Sequence, residues 1–489
     1  MAEQRKFAGV ASRSQLKAAH NLGTVFNSLD PQMKKFRNPD LEVYDSYYEA
    51  RQYAGLVPWE NANGEDSTHI PVRDRQPRIQ LNLAKMLSSR VGSKLIGKNG
   101  FPKLEIEDDP DTEDYIRAVI QTSRLKAVLA EPVRRMLNTG SCFVKFSIVN
   151  GQWKMNHYLA KWCFPKFDEV GGLESIEIKY VYDDEEDRDQ RNQPKKKWFK
   201  LALTKDKDVL YDNPEFSRGS DPTFKVVKSV QHNLGFVQGE WLKTSDVPNS
   251  VDGPAMVADL MGFIDELNYS FSQSSMAIQY NQDPQLILNN MDEDDLEKLF
   301  RSSAKGWNLG KDGDAKFLEA GMSGVEAANE FRNNMRLSIQ DIARIVLLDP
   351  EKIVGHAQSG KAMEVLHGPL VELIEEIRPN LEKSLVSLVL KMAATNMAVS
   401  KSGGISPIPI PKGYAPKSLN LIAKWPEIFP MTLEDLQKKV SIANSVATAN
   451  IISRETAMKW IAKDFGIEDI EEEKAKIAAQ PVINPFGGF

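Results

Sequence analysis

The segment Gly355-His356-Ala357-Gln358-Ser359-Gly360-Lys361-Ala362 comes nearest to a chemical motif in this sequence. Its spacing is that of a phosphate-binding loop. In such a loop glycine-rich backbone cradles phosphates, a lysine reaches the terminal ones and a hydroxyl holds magnesium. Seven of the eight positions fit, but the eighth is Ala362, which has no hydroxyl for the metal. A phosphate loop also follows directly on a buried strand. Here Asp349-Pro350-Glu351-Lys352 intervenes, and residues 345–348 finish a helical pattern. The residues therefore read against a P-loop ATPase.

The other reactive side chains are scattered. Six histidines (His20, His69, His157, His232, His356, His367) form no His-Glu-x-x-His pair, and no cysteines stand at zinc spacing. Neither a Gly-x-Ser-x-Gly elbow nor a dinucleotide-binding glycine cluster occurs. Cys142 and Cys163 sit in strand-like apolar stretches and read as reduced core thiols, consistent with folding in a reducing cytoplasm. The run Asp292-Glu293-Asp294-Asp295 lacks the alternation of a calcium loop and reads as the acidic start of a helix. No catalytic, metal-binding or cofactor-binding residue is expected.

Charge is distributed more tellingly. The net charge is −6, so the basic footprint of a protein that grips DNA is missing overall. From Thr244 to Glu297 there is no Lys or Arg, while Asp246, Asp252, Asp259, Asp265, Glu266, Asp283, Asp292, Glu293, Asp294, Asp295 and Glu297 all fall there. On a monomer this is an acidic patch. Repeated around an axis it would be a wall that repels phosphate within a Debye length of about 8 Å.

Periodicity supplies the elements that would carry these residues. At 489 residues the chain is expected to hold roughly three units. The polar, basic residues 1–40 read as a partly ordered arm. Helical patterns cover 41–53, 79–96 and 112–137. Strand patterns follow at 142–149, 152–159, 173–182, 197–204 and 223–230, with the charged stretch 183–197 as a solvated hairpin tip. The second half turns helical. An apolar stripe of Val257, Leu260, Met261, Ile264, Leu267 and Phe271, with Pro254 in its first turn, predicts a helix to about residue 277. Leu286-Ile287-Leu288 and residues 315–318 read as strands around a short helix at 292–301, and a second long helix spans 325–347. A helical segment from about 360 to 399 contains Pro369 and Pro379, each expected to bend it. Short helices at 432–449, 453–465 and 467–479 close the chain, with Ser453 and Thr432 at helix starts. The most apolar helix, 381–399, is broken by Lys383, Lys391 and Asn396, so neither a membrane span nor a signal peptide is expected.

The order of short motifs resembles the portal proteins of tailed phages. The motifs are Asn82-Leu83-Ala84-Lys85, Gly140-Ser141-Cys142-Phe143, His232-Asn233-Leu234-Gly235-Phe236, Asp252-Gly253-Pro254 opening a helix, and Gly355 through Met363. The resemblance covers most of residues 41–479 and implies an α+β portal fold. An α/β wing would span 41–251 and 360–430, stem helices 252–277 and 322–348, a small α/β clip 278–321, a tunnel loop 349–359, and a helical crown 431–489. It implies a non-enzymatic ring, twelve-fold in the family, through which double-stranded DNA is packaged and ejected, and which nucleates capsid assembly. Terminase, which hydrolyses the ATP, would dock at the clip, followed by head-completion or adaptor proteins. Major capsid and scaffolding proteins would be further partners. The site would be the virion's portal vertex, reached through the host cytoplasm during assembly. On this resemblance Lys352, His356 and Gln358 would meet DNA in the tunnel loop, and Asp259, Asp265, Glu266, Arg332, Arg336 and Arg344 would line the stem. Asp292, Glu293, Asp294, Asp295, Lys305 and Lys311 would present the clip. Arg332, Arg336 and Arg344 are expected to pair with Asp259, Asp265 or Glu266 of a neighbour in preference to DNA. Another head–tail connector or a minor capsid protein is the alternative of the same kind.

Overall fold

A computed structural model describes residues 37–60, 69–97, 100–106, 109–217, 222–282, 285–289, 314–318, 323–345, 364–411, 421–429, 433–465, 467 and 470–479. Two units are distinguished, Met1–Ile345 with Leu373–Pro426, and Val346–Glu372 with Glu427–Phe489.

The first unit opens with α1 (Pro39–Tyr48), capped by the Asn38 side chain accepting from the Asp40 N–H. It stops five residues short of the predicted end, where Ala50 takes a left-handed conformation at φ 54°. The next helix, α2 (Leu83–Ile96), starts four residues later than its apolar spacing suggests, because Asn82 supplies the cap to the Lys85 N–H. Strand β1 (Lys103–Ile106) follows. The single helix expected at 112–137 is broken into α3 (Pro110–Thr122), α4 (Leu125–Val128) and α5 (Ala130–Thr139), with Arg124 at φ 52° forming the first break.

At Gly140 the chain turns into sheet. Strands β2 (Ser141–Val149) and β3 (Gln152–Leu159) form an antiparallel hairpin, β4 (Cys163–Phe167) follows, and β5 (Leu173–Arg188) pairs with β6 (Pro194–Thr204). The charged stretch at 183–197 is therefore ladder as well as tip. Its charges alternate across it, with Lys197 reaching Asp184 and Asp187 at 2.8 Å each. Strands β7 (Lys207–Tyr211) and β8 (Val226–Gln231) extend this sheet to the order β4-β5-β6-β7-β8, while β9 (Gly239–Lys243) joins the other edge of β2. Leu41, Phe143, Cys163, Ile176, Ile178, Leu203 and Trp241 fill one core between these elements. Both cysteines are free and buried, as expected, and burial pushes the Cys142 thiol up to about 12.

A 3-10 turn (Ala258–Leu260) leads into α6 (Met261–Gln282), so Pro254 precedes the helix by several residues instead of sitting in its first turn. Strands β10 (Gln285–Asn289) and β11 (Asp314–Leu318) pair antiparallel from Gln285↔Leu318 to Asn289↔Asp314. The next long helix, α7 (Ser323–Ala343), ends where Arg344 turns left-handed at φ 53°. Helix α8 (Gly368–Lys401) runs unbroken through Pro379. Pro369 falls in its first turn, where no donor is needed, and the helical run is interrupted just before it, at His367. Strand β12 (Leu421–Lys424) returns to pair with β1.

In the second unit, helices α9 (Leu433–Thr448), α10 (Arg454–Ala462) and α11 (Ile470–Ala479) match the predicted pattern. Ser453 caps α10 by accepting from the Thr456 N–H at 3.0 Å. Lys439 of α9 binds Asp464 at 2.5 Å and lies over the Trp460 ring. No helix among the described residues is long and apolar enough to cross a membrane.

Candidate functional site

Of the predicted stem residues, Asp265 and Glu266 lie on α6 and Arg332 and Arg336 on α7, on either side in sequence of the β10–β11 ladder, while Asp259 lies in the turn before α6 and Arg344 just past the end of α7. Helix α6 buries Met261, Ile264 and Leu267, and α7 buries Ile339 and Ala343, as their apolar spacing requires. Between them lies Arg332, which is only 8% exposed. Its Nη1 donates to Ser274 Oγ at 2.5 Å and to Ser270 O and Oγ at 3.4 Å, its Nη2 to Asn329 Oδ1, and its Cζ lies 4.9 Å from the Phe271 centroid. Burial lowers its pKa. Among the described residues Arg332 has no carboxylate partner. It joins the two helices of one chain. Arg344 is 3.0 Å from Glu376 of its own chain, both exposed, and Arg336 is exposed on α7.

Segment 73–81 of the same chain provides partners for the polar face of α6. The Leu81 N–H donates to Asn268 Oδ1 at 2.8 Å and the Ile79 N–H to Ser272 Oγ at 3.0 Å. The Tyr269 hydroxyl donates to the carbonyls of Arg73 (3.0 Å) and Arg75 (2.8 Å), and Arg78 donates to Gln279 at 2.8 Å. Glu266 pairs with Arg73 at 2.5 Å. Asp265 accepts from the Tyr53 hydroxyl at 2.8 Å, and burial followed by the Asp265 charge raises the pKa of that phenol.

Three of the five described acids of the acidic stretch meet a cation of the same chain. Of its described acids, Asp246 is 3.3 Å from Lys243 and Asp252 is paired with Arg37, while Asp265 and Glu266 are engaged as above. Asp259 alone among them is exposed and without an ion-pair or hydrogen-bond partner among the described residues. The sequence reading missed Arg37, Tyr53, Arg73 and Arg78. The available signal was the cationic series Arg73, Arg75, Arg78, set against a following stretch with no Lys or Arg of its own.

Helix α6 is rooted at a dense joint. Asp252 receives both terminal nitrogens of Arg37, at 2.6 and 2.8 Å, and the Ser141 hydroxyl. The Gly140 carbonyl accepts from the N–H groups of Thr244 (3.1 Å) and Gly253 (3.3 Å), and the Leu137 carbonyl from Met256 at 3.0 Å. The motifs Gly140-Ser141 and Asp252-Gly253 are therefore in contact. A second ionic cluster anchors α1. Lys161 meets Glu42 at 2.9 Å and Asp45 at 2.5 Å. Arg135 meets Asp45 at 2.8 Å, Glu131 at 2.9 Å and Glu49, and stacks over Tyr48 at 4.0 Å.

Among the described residues no group of His, Cys, Asp and Glu could hold a metal. Lys352, His356 and Gln358 lie outside the described residues, as do Asp292, Glu293, Asp294, Asp295, Lys305 and Lys311 and the helix expected at 292–301.

Two long helices linked through an antiparallel two-stranded ladder thus stand on an α+β body. The chain belongs to the family described as phage portal protein, SPP1 Gp6-like, whose model matches residues 32–480. Phage portal proteins are structural, non-enzymatic components that form oligomeric rings in virion particles, and this chain is one of them. Comparison with curated protein sequences finds no match. Among solved structures, the virion of a native gene transfer agent particle matches at 10% identity and TM-score 0.41, covering 78% of this chain and 89% of that one. The neck of an empty gene transfer agent particle, computed with C6 symmetry, matches at 10% identity and TM-score 0.44, covering 78% and 90%.

Proposed function

We propose that this chain is a subunit of the ring at the portal vertex, through which double-stranded DNA enters and leaves the capsid. The observation that carries the reading is the portal family match across residues 32–480. In this reading α6 and α7 are the stem and the β10–β11 ladder is the base of the clip, where terminase docks before head-completion and adaptor proteins. Residues 349–359, with Lys352, His356 and Gln358, form the tunnel loop. Twelve copies make the ring, which also nucleates the shell of major capsid and scaffolding proteins.

The chemistry suits passage in place of grip. With Glu266 paired to Arg73 and Asp265 held by the Tyr53 hydroxyl, Asp259 in the turn leading into α6 is the described carboxylate left to face a channel. Exposed phosphate-binding clusters, the usual source of non-specific DNA affinity, are not needed for a conduit.

Electron microscopy of the purified chain tests the reading. Closed rings with rotational symmetry and a central hole wide enough for duplex DNA are expected, and counting subunits checks the twelve. Discrete monomers that stay monomeric with scaffolding protein present, or particles that turn over ATP unaided, would overturn it.

A further inference from the structure

Arg37 and Asp252 are 215 positions apart, and their side chains are 16% and 10% exposed. Arg37 spends every nitrogen at this one place. Its terminal nitrogens take both oxygens of Asp252, its Nε donates to the Cys163 carbonyl at 2.9 Å, and its Nη2 also approaches the Ala160 carbonyl at 3.4 Å. The guanidinium lies 5.7 Å from the Trp241 centroid, and Trp241 in turn donates to the Val251 carbonyl at 3.1 Å. One cation thereby ties the start of β4 and the middle of β9 to the residues that lead into α6.

Directly beside this pair, two backbones meet without side chains. Gly140, at φ 87°, could not carry a Cβ without striking the Gly253 carbonyl, and a Cβ on Gly253 would strike the Thr244 hydroxyl. Close approach of this kind is possible only for glycine, and it removes the slack a hinge would use. Buried charge pairs add direction where packing alone gives area, because a guanidinium meets a carboxylate in one plane.

We propose that the Arg37–Asp252 pair is a latch that fixes how α6 leaves the β-rich body, and that opening it frees the helix root to move. The latch stands on this geometry. Only its meaning for a channel helix rests on the portal reading.

Hydrogen exchange on the full chain before ring assembly tests it, so failure of the latch and failure of the portal reading are told apart. In Arg37→Ala, the Thr244, Gly253 and Met256 amides, which bond across the joint, are expected to exchange on the order of a hundredfold faster. Amides of the β5–β6 ladder should keep their wild-type rates. Arg37→Lys, which preserves the charge but not the two-pronged geometry, should fall between. Wild-type exchange at the three amides in folded Arg37→Ala would overturn the latch. So would equal acceleration throughout the β-sheets, since that would mark Arg37 as a general stabiliser. Asp252→Asn, which removes the carboxylate charge but keeps one acceptor oxygen, should accelerate the same three amides, by less than Arg37→Ala.

Discussion

Arg332 lies over the face of Phe271, its Cζ 4.9 Å from the ring centroid, so a cation from one long helix stacks on an aromatic ring of the other. The contact lies within one chain, Arg332 is buried, and its hydrogen-bond acceptors among the described residues are neutral oxygens. A buried cation without a counter-ion is often replaceable by an apolar side chain of similar length. Arg332→Met should therefore leave thermal stability equal or higher. Arg332→Ala, which loses the stacking and leaves a gap, should cost about 1–3 kcal/mol in denaturant unfolding.

Glycines at the root of α6 should behave differently from a glycine on its surface. Gly140→Ala combines a positive φ with a clash against the Gly253 backbone, and should lower stability by more than about 2 kcal/mol. Gly262, in the first turn of α6, has open space around its would-be Cβ. Gly262→Ala should stabilise by about 0.5–1 kcal/mol through helix propensity, read as a rise in the unfolding midpoint.

The ionic cluster on α1 makes opposite predictions for two of its carboxylates. Burial alone would raise Glu131, but the hydrogen bond and charge of Arg135, with Tyr48 and Arg134, outweigh it and hold its pKa below 4.5. A lowered carboxylate adds stability above its unfolded pKa and loses it as pH falls below about 4.5. Glu131→Gln should flatten the acid loss of stability. Glu42 is the reverse case, since burial, only partly opposed by Lys161, raises its pKa above 4.5. Its contribution is present at low pH and disappears as pH rises through the folded value, so Glu42→Gln should steepen the acid limb. Unfolding midpoints measured between pH 3 and 7 check both signs.

Asp259 gives the cleanest test of charge in the proposed channel. Because it is exposed and without a hydrogen-bond or ion-pair partner among the described residues, Asp259→Lys should leave ring assembly unchanged while slowing DNA packaging in a reconstituted reaction. Asp265→Lys should instead disturb the fold, because it removes the acceptor of the Tyr53 hydroxyl. Packaging at the wild-type rate by Asp259→Lys rings would remove electrostatic repulsion at this position from the account.

Much of the fold was legible where the signal is local. Alternation placed β2 and β3 within a residue of their bounds, the Ser453 hydroxyl announced α10, and the apolar stripe from Leu260 to Leu267 marked the face that α6 buries. The boundaries that failed did so for local reasons too weak to outvote a periodic pattern. Arg124 turns left-handed in the middle of an otherwise helical stretch, and Asn82 caps a helix whose apolar spacing starts earlier. The short β7, β9 and β12 were not distinguishable as strands, because a run of four or five residues acquires its conformation from the ladder it joins.

The sequence by itself determined most of the long helices and strands, the apolar faces they bury and, through the order of its motifs, the class of protein. Only the tertiary structure decided where the charges go. The Lys- and Arg-free stretch looked like a uniform acidic wall, yet Arg37 and Arg73 return from far along the chain to Asp252 and Glu266. Periodicity records whether a side chain points inward or outward. An ion pair or a glycine-to-glycine backbone contact depends on which two surfaces meet, and that is settled only when the whole chain packs.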